Sequence, residues 1–349
     1  MESYQPASFP SSRFPQYLAV ISLVTGAGGF LGSHVARLLV GRGDRVRVLI
    51  RPASRLEGID GLDVERITGD LREPSSLAPA LQGVQRVFHV AADYRLWTSN
   101  PREIYQSNVE GTRNLIAVAR RVGIERFLYT STVGTIAVPG HDPLPNENTV
   151  TRLDQMIGHY KRSKFLAEQE AMRAAQGGVP VVIVNPTTPV GPGDWKPTPT
   201  GRMIVDFLNG RTPAYVDSGL NIVAVEDVAE GHWLAAERGQ TGERYLLGGE
   251  NMTLREIFAA LARFSGRRTP RWRIPHALAL AAGYVDTGIS AFAGREPRIP
   301  LEGVRMARHK MFVDCSKATQ KLGFRPGSAV AALERAAQWY LDHRYVQHA

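Results

Sequence analysis

An apolar run at 18–24 leads straight into Thr25-Gly26-Ala27-Gly28-Gly29-Phe30-Leu31-Gly32, and nothing else in the 349 residues restricts the fold as tightly. In a Gly26-x-x-Gly29-x-x-Gly32 turn between strand and helix, the first glycine permits the tight bend. The second lets backbone approach a pyrophosphate, and the third lets the helix pack closely. The helix that follows begins with unbonded amides, which attract phosphate. Glycines at this spacing also arise by chance, so the signal rests on the strand before them and the helix after. The run 18–24 has the apolar character of a signal-peptide core. However, a proline-containing tail with a single Glu and a single Arg precedes it and the glycine turn follows at once, so it reads as a first strand.

Residues 1–17, rich in Ser and Pro, read as a disordered leader. Strand patterns then fall at 19–25, 45–50, 64–68, 86–91, 126–131 and 179–185. Helical patterns lie between them at 32–42, 74–81, 108–122 and around Tyr160. Such alternation predicts an α/β fold, a Rossmann-type doubly wound parallel sheet covered by helices on both faces. It breaks after Asn185, in the turn-rich loop Gly191-Pro192-Gly193-Asp194-Trp195-Lys196-Pro197-Thr198-Pro199. Residues 18–190 are therefore expected to form a dinucleotide-binding core and 191–349 mainly a smaller C-terminal substrate lobe. Segments near 220–235 are expected to return to the core, with 222–225 rejoining the sheet. Lobe helices are expected at 254–265, 276–292 and 329–343.

The pair Tyr160 and Lys164, in His159-Tyr160-Lys161-Arg162-Ser163-Lys164, carries the chemistry. Four residues apart on a helix, they share one face. A phenol titrates near ~10 and is a poor acid or base at neutral pH unless a nearby cation stabilises the phenolate. With a nicotinamide nucleotide on the glycine turn, the pair becomes the proton-transfer half of a hydride-transfer site. The second strand ends in Ile50-Arg51-Pro52-Ala53-Ser54-Arg55, with no carboxylate where one would bond a ribose 2′-hydroxyl. Arg51 and Arg55 instead suit a 2′-phosphate, so NADP is preferred over NAD.

At 43% hydrophobic and 21% charged, the chain has the makings of a large soluble domain with a partner lobe. No stretch is apolar for long enough to span a bilayer. The net charge of +9 admits nucleic acid, an anionic membrane surface or phosphorylated ligands. The cations are dispersed, with clusters at 42–55 and 267–273 but no long basic tail, so no specific nucleic-acid partner is expected. The lone Cys315 cannot make an intrachain disulfide, and a reducing cytoplasm fits it best. His141, His159 and His232 lack the spacing of metal ligands, so no metal is expected.

On these motifs the chain resembles the extended short-chain dehydrogenases/reductases, which include nucleotide-sugar epimerases, dehydratases and dihydroflavonol reductases. The likeness runs from about residue 23 to 326. It includes the TGxxGxxG turn, Gly69-Asp70-Leu71, His89-Val90-Ala91-Ala92, Asn108-Val109-Glu110-Gly111-Thr112 and Tyr129-Thr130-Ser131-Thr132. Tyr-x-x-x-Lys, Asn185-Pro186, Ser316-Lys317-Ala318 and Leu322-Gly323-Phe324-x-Pro326 complete it. Within that superfamily, residues 91–97, 157–164 and 187–194 are similar to the hopanoid-associated sugar epimerases. This implies a small sugar-like, lipid-linked or hopanoid-linked substrate, and peripheral membrane contact is compatible with it.

The resemblance implies catalytic roles for Thr132, Tyr160 and Lys164. Tyr160 would give or take the proton, Thr132 would hydrogen-bond the reacting oxygen, and Lys164 would hold the cofactor ribose and lower the tyrosine pKa. It implies a cofactor site built from Gly26, Gly29, Phe30, Leu31, Gly32, Arg51, Arg55, Asp70, Leu71, Ala91, Ala92, Tyr160, Lys164, Asn185 and Pro186. Asp70 would meet the adenine and Asn185-Pro186 the nicotinamide carboxamide. A homodimer through the two long helices beside the sheet is also implied.

The chain departs from the pattern at Gly28, where many relatives carry a hydroxyl or amide. It departs again at Ala224 and Glu226, where His and Asp are common. Asp227 reads as a cap for the next helix. Candidate substrate contacts are Asp93, Tyr94, Trp97, Trp195, Arg202 and Met203, with core packing the competing reading for the aromatics. Arg202, Arg267, Arg268 and Arg271 could meet a diphosphate. The apolar segment 276–292 suits either a packed lobe helix or a surface for membrane or lipid tail, and without a basic face of its own the packed helix is preferred. Three functions stay open: a sugar epimerase, an NADPH-dependent ketone or aldehyde reductase, and a noncatalytic nucleotide sensor or RNA binder. The joint presence of Thr132, Tyr160 and Lys164 argues against the last.

Overall fold

The computed structural model describes residues 20–136, 143–293, 295, 297 and 300–347, and the expected leader and His141 lie outside them. The first half runs β1 (Ile21–Thr25), α1 (Phe30–Gly41), β2 (Arg45–Ile50), β3 (Glu65–Thr68), α2 (Ala78–Leu81), β4 (Arg86–His89), α3 (Pro101–Tyr105), α4 (Gly111–Val122), β5 (Arg126–Thr130), α5 (Gly158–Gln176) and β6 (Val181–Pro186). There follow β7 (Thr188–Val190), α6 (Pro199–Leu208), β8 (Ala214–Tyr215), β9 (Gly219–Ala224), α7 (Val225–Arg238), β10 (Arg244–Leu247) and β11 (Glu250–Thr253). The chain closes with α8 (Leu254–Ser265), β12 (Trp272–Arg273), α9 (His276–Ala293), α10 (Leu301–Met306), α11 (Ser316–Leu322) and α12 (Ala329–Asp342).

Seven strands form one sheet in the order β10-β6-β5-β4-β1-β2-β3, and every neighbouring pair is parallel. This is the doubly wound Rossmann arrangement with one strand added beyond β6. The alternation of side chains along each strand divides two cores between the faces. Val24, Val48, Phe88, Leu128 and Val184 lie on the side of α1 and α7. Their chain neighbours Leu23, Leu49, Val87, Phe127 and Ile183 lie with Leu115, Ala119, Ala167 and Ala171 of α4 and α5. Burying one such aliphatic or aromatic side chain is worth roughly 1.5–3 kcal/mol. With both faces covered in this way, the strands are almost continuously apolar.

The expected return of 222–225 to the large sheet is corrected. Those residues belong to β9, which pairs with β7 and β11 in a separate three-stranded sheet, and the strand that joins β6 is β10. An apolar run shows that a strand is buried but does not name its partner. The adjoining α7 does come back, packing Val228, Ala229 and Ala235 into the α1 side of the core. Asp227 does not cap α7: that helix begins after Ala224 without a side-chain cap, and the Asp227 carboxylate accepts from the Gly327 amide at 2.8 Å.

The smaller sheet carries the lobe, whose core joins Ile204, Phe207 and Leu208 of α6 to Phe258 and Leu261 of α8 and Leu333, Ala336 and Tyr340 of α12. Thr253 and Glu256 cap the start of α8 reciprocally, and Gly266 ends it in the left-handed region at φ +70. No helix among the described residues is long and apolar enough to cross a membrane.

Candidate active site

The glycine turn is set by contact. Gly26 has φ +76, and a Cβ there would stand 2.6 Å from the Ala91 amide nitrogen; a Cβ on Gly32 would stand 2.1 Å from the Gly26 carbonyl oxygen. Neither position accepts a side chain. Gly28 is excluded differently, because the carbonyl oxygen of Arg55 passes 2.3 Å from where its Cβ would be. The departure at Gly28 thus accompanies a close crossing of the Arg55 loop over the turn. Gly29 begins α1 with no side-chain cap and no acidic residue in the first turn, leaving the first amides open to an anion. Phe30 meets His34 edge-on at 5.7 Å, and Leu31 packs on the core.

A line of hydrogen bonds fixes the strand ends beneath this turn. The Ala91 amide donates to the Thr25 hydroxyl at 3.2 Å, and that hydroxyl lies 2.8 Å from His89 Nδ1. His89 Nε2 lies 2.9 Å from the Thr112 hydroxyl, which donates to the Asn108 carbonyl at 2.6 Å. With Thr25 and Thr112 so oriented, Nε2 carries the His89 proton. Burial, with the nearby Lys164 charge, pushes the His89 pKa down to about 3, so the ring stays neutral.

Tyr160 stands on the first turn of α5 and Lys164 one turn on. Burial pushes the Tyr160 phenol up to about 12, opposed by a hydrogen bond with the Thr132 side chain, and Tyr94 adds to the rise. The Thr132 hydroxyl also accepts from the Gly134 amide at 3.2 Å. Lys164 is 2% exposed; its Nζ donates to the Thr130 carbonyl at 2.6 Å and lies 4.4 Å from the Tyr129 ring centroid. Burial brings its pKa down to about 7, with Glu168 opposing. The expected depression of the phenol by Lys164 is therefore corrected. The ammonium faces Thr130, and burial of the phenol prevails.

Below Lys164 lies a polar centre that the sequence reading missed. The Glu168 carboxylate accepts from Ser131, from Thr135 at 3.0 Å, from Asn185 Nδ2 at 2.9 Å and from Arg244 at 3.1 Å. Ser131 thus turns away from Tyr160. Asn185 Nδ2 also donates to the Thr132 carbonyl at 3.1 Å, while its buried Oδ1 has no partner among the described residues. Glu168 stands four residues beyond Lys164, and the extended spacing Tyr160-Lys164-Glu168 was the available signal. Asn108 was the second omission: it accepts from the Asp93 amide at 2.7 Å and donates to Ser163 at 2.9 Å, tying the strand end to α5. It lies in a π-helical turn, Gln106–Glu110, where the sequence suggested a regular helix starting at residue 108.

The other candidates are dispersed. Asp70 is clamped by Arg72 at 2.6 Å, which holds its carboxyl below the usual range, and Arg51 adds to that effect. Leu71 packs in the core beside α4, and Pro186 ends β6. Arg51 and Arg55 are exposed on the loop after β2. Asp93 pairs with Arg95 at 2.6 Å. Tyr94 is 37% exposed, its pKa raised by burial and by the Asp194 charge, with Arg202 opposing. Trp97 is half-buried on the same segment. Trp195 meets Trp339 edge-on at 5.0 Å, and Met203 packs on the lobe core. Among the described residues no group of His, Cys, Asp and Glu could hold a metal ion.

Residues 22–248 match the NAD dependent epimerase/dehydratase family. The chain belongs to that family. It is an extended short-chain dehydrogenase/reductase and an oxidoreductase/epimerase enzyme. It is 44% identical over 328 residues to the putative dihydroflavonol 4-reductase of Synechocystis sp., covering 93% of this chain and 95% of that one. It is 36% identical over 323 residues to sterol demethylase protein B of Methylococcus capsulatus, covering 92% and 98%. The solved structure of gox2253 superposes with a TM-score of 0.84 at 45% identity, covering 94% and 99%. As members of an NAD-dependent family, the glycine cradle, the uncapped amides of α1 and the lone acceptor Asn185 Oδ1 fit a dinucleotide with a carboxamide head.

Proposed function

We propose that this family member works as a reductase, adding a hydride to a ketone or aldehyde carbon while Tyr160 gives a proton to the oxygen. One observation supports this reading: Tyr160, joined to Thr132 and pushed up to about 12, holds at neutral pH the proton that a reduction must deliver. A group that must deliver a proton is thereby in its starting state. A nicotinamide nucleotide bound on the glycine turn supplies the hydride. Thr132 hydrogen-bonds the carbonyl oxygen, Tyr160 protonates it, and the product is the secondary carbinol. Lys164, brought down to about 7 by burial with Glu168 opposing the fall, supplies its charge to the site in its ammonium form, which is lost as pH rises past neutral. Asp70, Ala91, Ala92, Asn185 and Pro186 are assigned to the cofactor, and Arg51 and Arg55 to a 2′-phosphate, making NADPH the reductant.

The substrate enters past Tyr94, which influences Tyr160. The names of the Synechocystis and Methylococcus relatives, a reductase and a sterol demethylase protein, support a lipid-linked or polycyclic carbonyl compound. A sugar epimerase is the second reading, favoured by the description of the family. It would oxidise a carbinol and return the hydride to the opposite face. The same proposal takes the protein as a cytoplasmic homodimer built on α4 and α5, acting on a small molecule and not on nucleic acid.

The test is the nucleotide released by denaturing freshly purified protein, with the affinities of the stripped protein for NADPH and NADH. An empty protein that prefers NADPH and oxidises it with ketones or aldehydes supports the reductase. Near-stoichiometric tightly held NAD would overturn it in favour of the epimerase.

A further inference from the structure

Helix α9 is built with its polarity reversed. Along one side Leu278 is 60% exposed, Val285 62%, Ile289 55% and Phe292 98%. Ala281, Ala282 and Gly288 continue the same exposed stripe at helical spacing. The opposite side turns Gly283, Asp286, Thr287 and Ser290 inward. There Asp286 pairs with Arg295 at 2.9 Å, and the Thr287 hydroxyl is buried without a partner among the described residues. The packed-helix reading of this segment is thus corrected: α9 rests on α10 with its polar face and leaves its apolar face uncovered. So wide an apolar stripe on a soluble surface calls for an apolar partner.

The charge around the stripe says which one. Residues 267–310 hold nine Lys and Arg against three Asp and Glu, a net +6 of the chain's +9. The cations that α9 itself lacks are carried by the chain segments on either side of it. Before the helix, Trp272 is 71% exposed between Arg271 and Arg273. Arg267, Arg268 and Arg271 form no ion pair with any described residue. After the helix, Arg305 reaches back to donate to the Tyr284 hydroxyl at 3.0 Å at the border of the stripe. Apolar side chains flanked by an aromatic and by cations match a bilayer with anionic headgroups, where the former enter the acyl boundary and the latter meet phosphate. RNA would use the cations but would leave Ile289 and Phe292 without a role. A second copy would bring the same +6 segment against itself.

We propose that α9 is a membrane-docking helix that seats the protein on an anionic lipid surface. Helix α10, on which α9 rests, reaches the site: Glu302 accepts from the His159 amide at 3.2 Å, immediately before Tyr160.

The test is co-sedimentation of the full chain with vesicles of phosphatidylcholine mixed with phosphatidylglycerol, beside phosphatidylcholine alone. The chain should bind the anionic vesicles and release as salt rises. The double change Ile289→Glu with Phe292→Glu, and separately Arg268→Glu with Arg271→Glu, should each weaken binding about tenfold or more. Both pairs are exposed, so melting temperature and nucleotide affinity should not change. Independently of any loss, Phe292→Trp should shift its emission to the blue on adding anionic vesicles. No binding at low salt, or binding indifferent to Ile289 and Phe292, overturns the proposal. A dimer dissolved by the Glu pair without vesicle binding would assign the face to a second copy, and RNA retention unaffected by that pair would assign the cations to nucleic acid. Nucleotide affinity is read separately, so failure here leaves the reductase reading untouched.

Discussion

Asn185 donates from Nδ2 to Glu168 Oε2 at 2.9 Å, joining the end of β6 to the middle of α5. That carboxylate also serves Ser131, Thr135 and Arg244, so every partner facing it is a donor. In Glu168→Gln an amide NH2 must face one of these donors, and a buried ion pair with Arg244 is lost. The expected cost is about 3–5 kcal/mol, read as a lower denaturation midpoint. Glu168 raises the Lys164 pKa, so its neutralisation takes that pKa below about 7. The alkaline limb of the kcat profile should then move to lower pH, which a purely structural defect would not cause.

Tyr160→Phe removes the hydroxyl proposed as the proton donor and keeps the ring. Turnover should fall by about 10²–10⁴. Thr132→Ala should cost about 10²–10³ in kcat. Calorimetric titration should find nucleotide affinity little changed in both. Retained turnover in Tyr160→Phe would place the proton transfer elsewhere.

Reversing the charge in Arg51→Glu should cost NADPH about 10–100-fold in affinity, the equivalent of one charge-assisted hydrogen bond of about 1.5–3 kcal/mol, while NADH changes far less. Titrating both nucleotides into wild type and variant gives the ratio. An unchanged ratio would return Arg51 to the solvated surface.

His89 and His232 are buried, with pKa values lowered to about 3 and about 4. In the unfolded chain a histidine titrates near ~6.5, so below that value the unfolded state takes up protons that the native state refuses. Stability is therefore lost as pH falls from ~6.5 towards ~4, by up to ~1.4 kcal/mol per pH unit for each histidine. Urea midpoints across that window should show the slope. His232→Asn should reduce its histidine part by about half.

A methyl group at position 32 would meet the Gly26 carbonyl at 2.1 Å. Gly32→Ala should push α1 away from the turn, cut nucleotide affinity and lower the melting temperature, by a destabilisation of about 1–3 kcal/mol. Gly41, whose Cβ would meet nothing within 4 Å, provides the control: Gly41→Ala should bind nucleotide normally.

Local rules sufficed for much of this protein. A glycine turn between an apolar strand and a helix, strict alternation of elements, and Tyr160 with Lys164 on one helical face are written within a few residues of each other. Their consequence, a parallel doubly wound sheet, follows from how strands twist and helices cover them. Tertiary structure decided what depends on distant segments. It paired β9 with β7 and gave the large sheet β10. It aimed Lys164 at Thr130 and raised the Tyr160 phenol, because burial is set by the whole fold. It made Glu168 the meeting point of side chains from three strand ends and α5, and it turned the apolar face of α9 outward, since composition counts apolar residues but only packing tells which are covered.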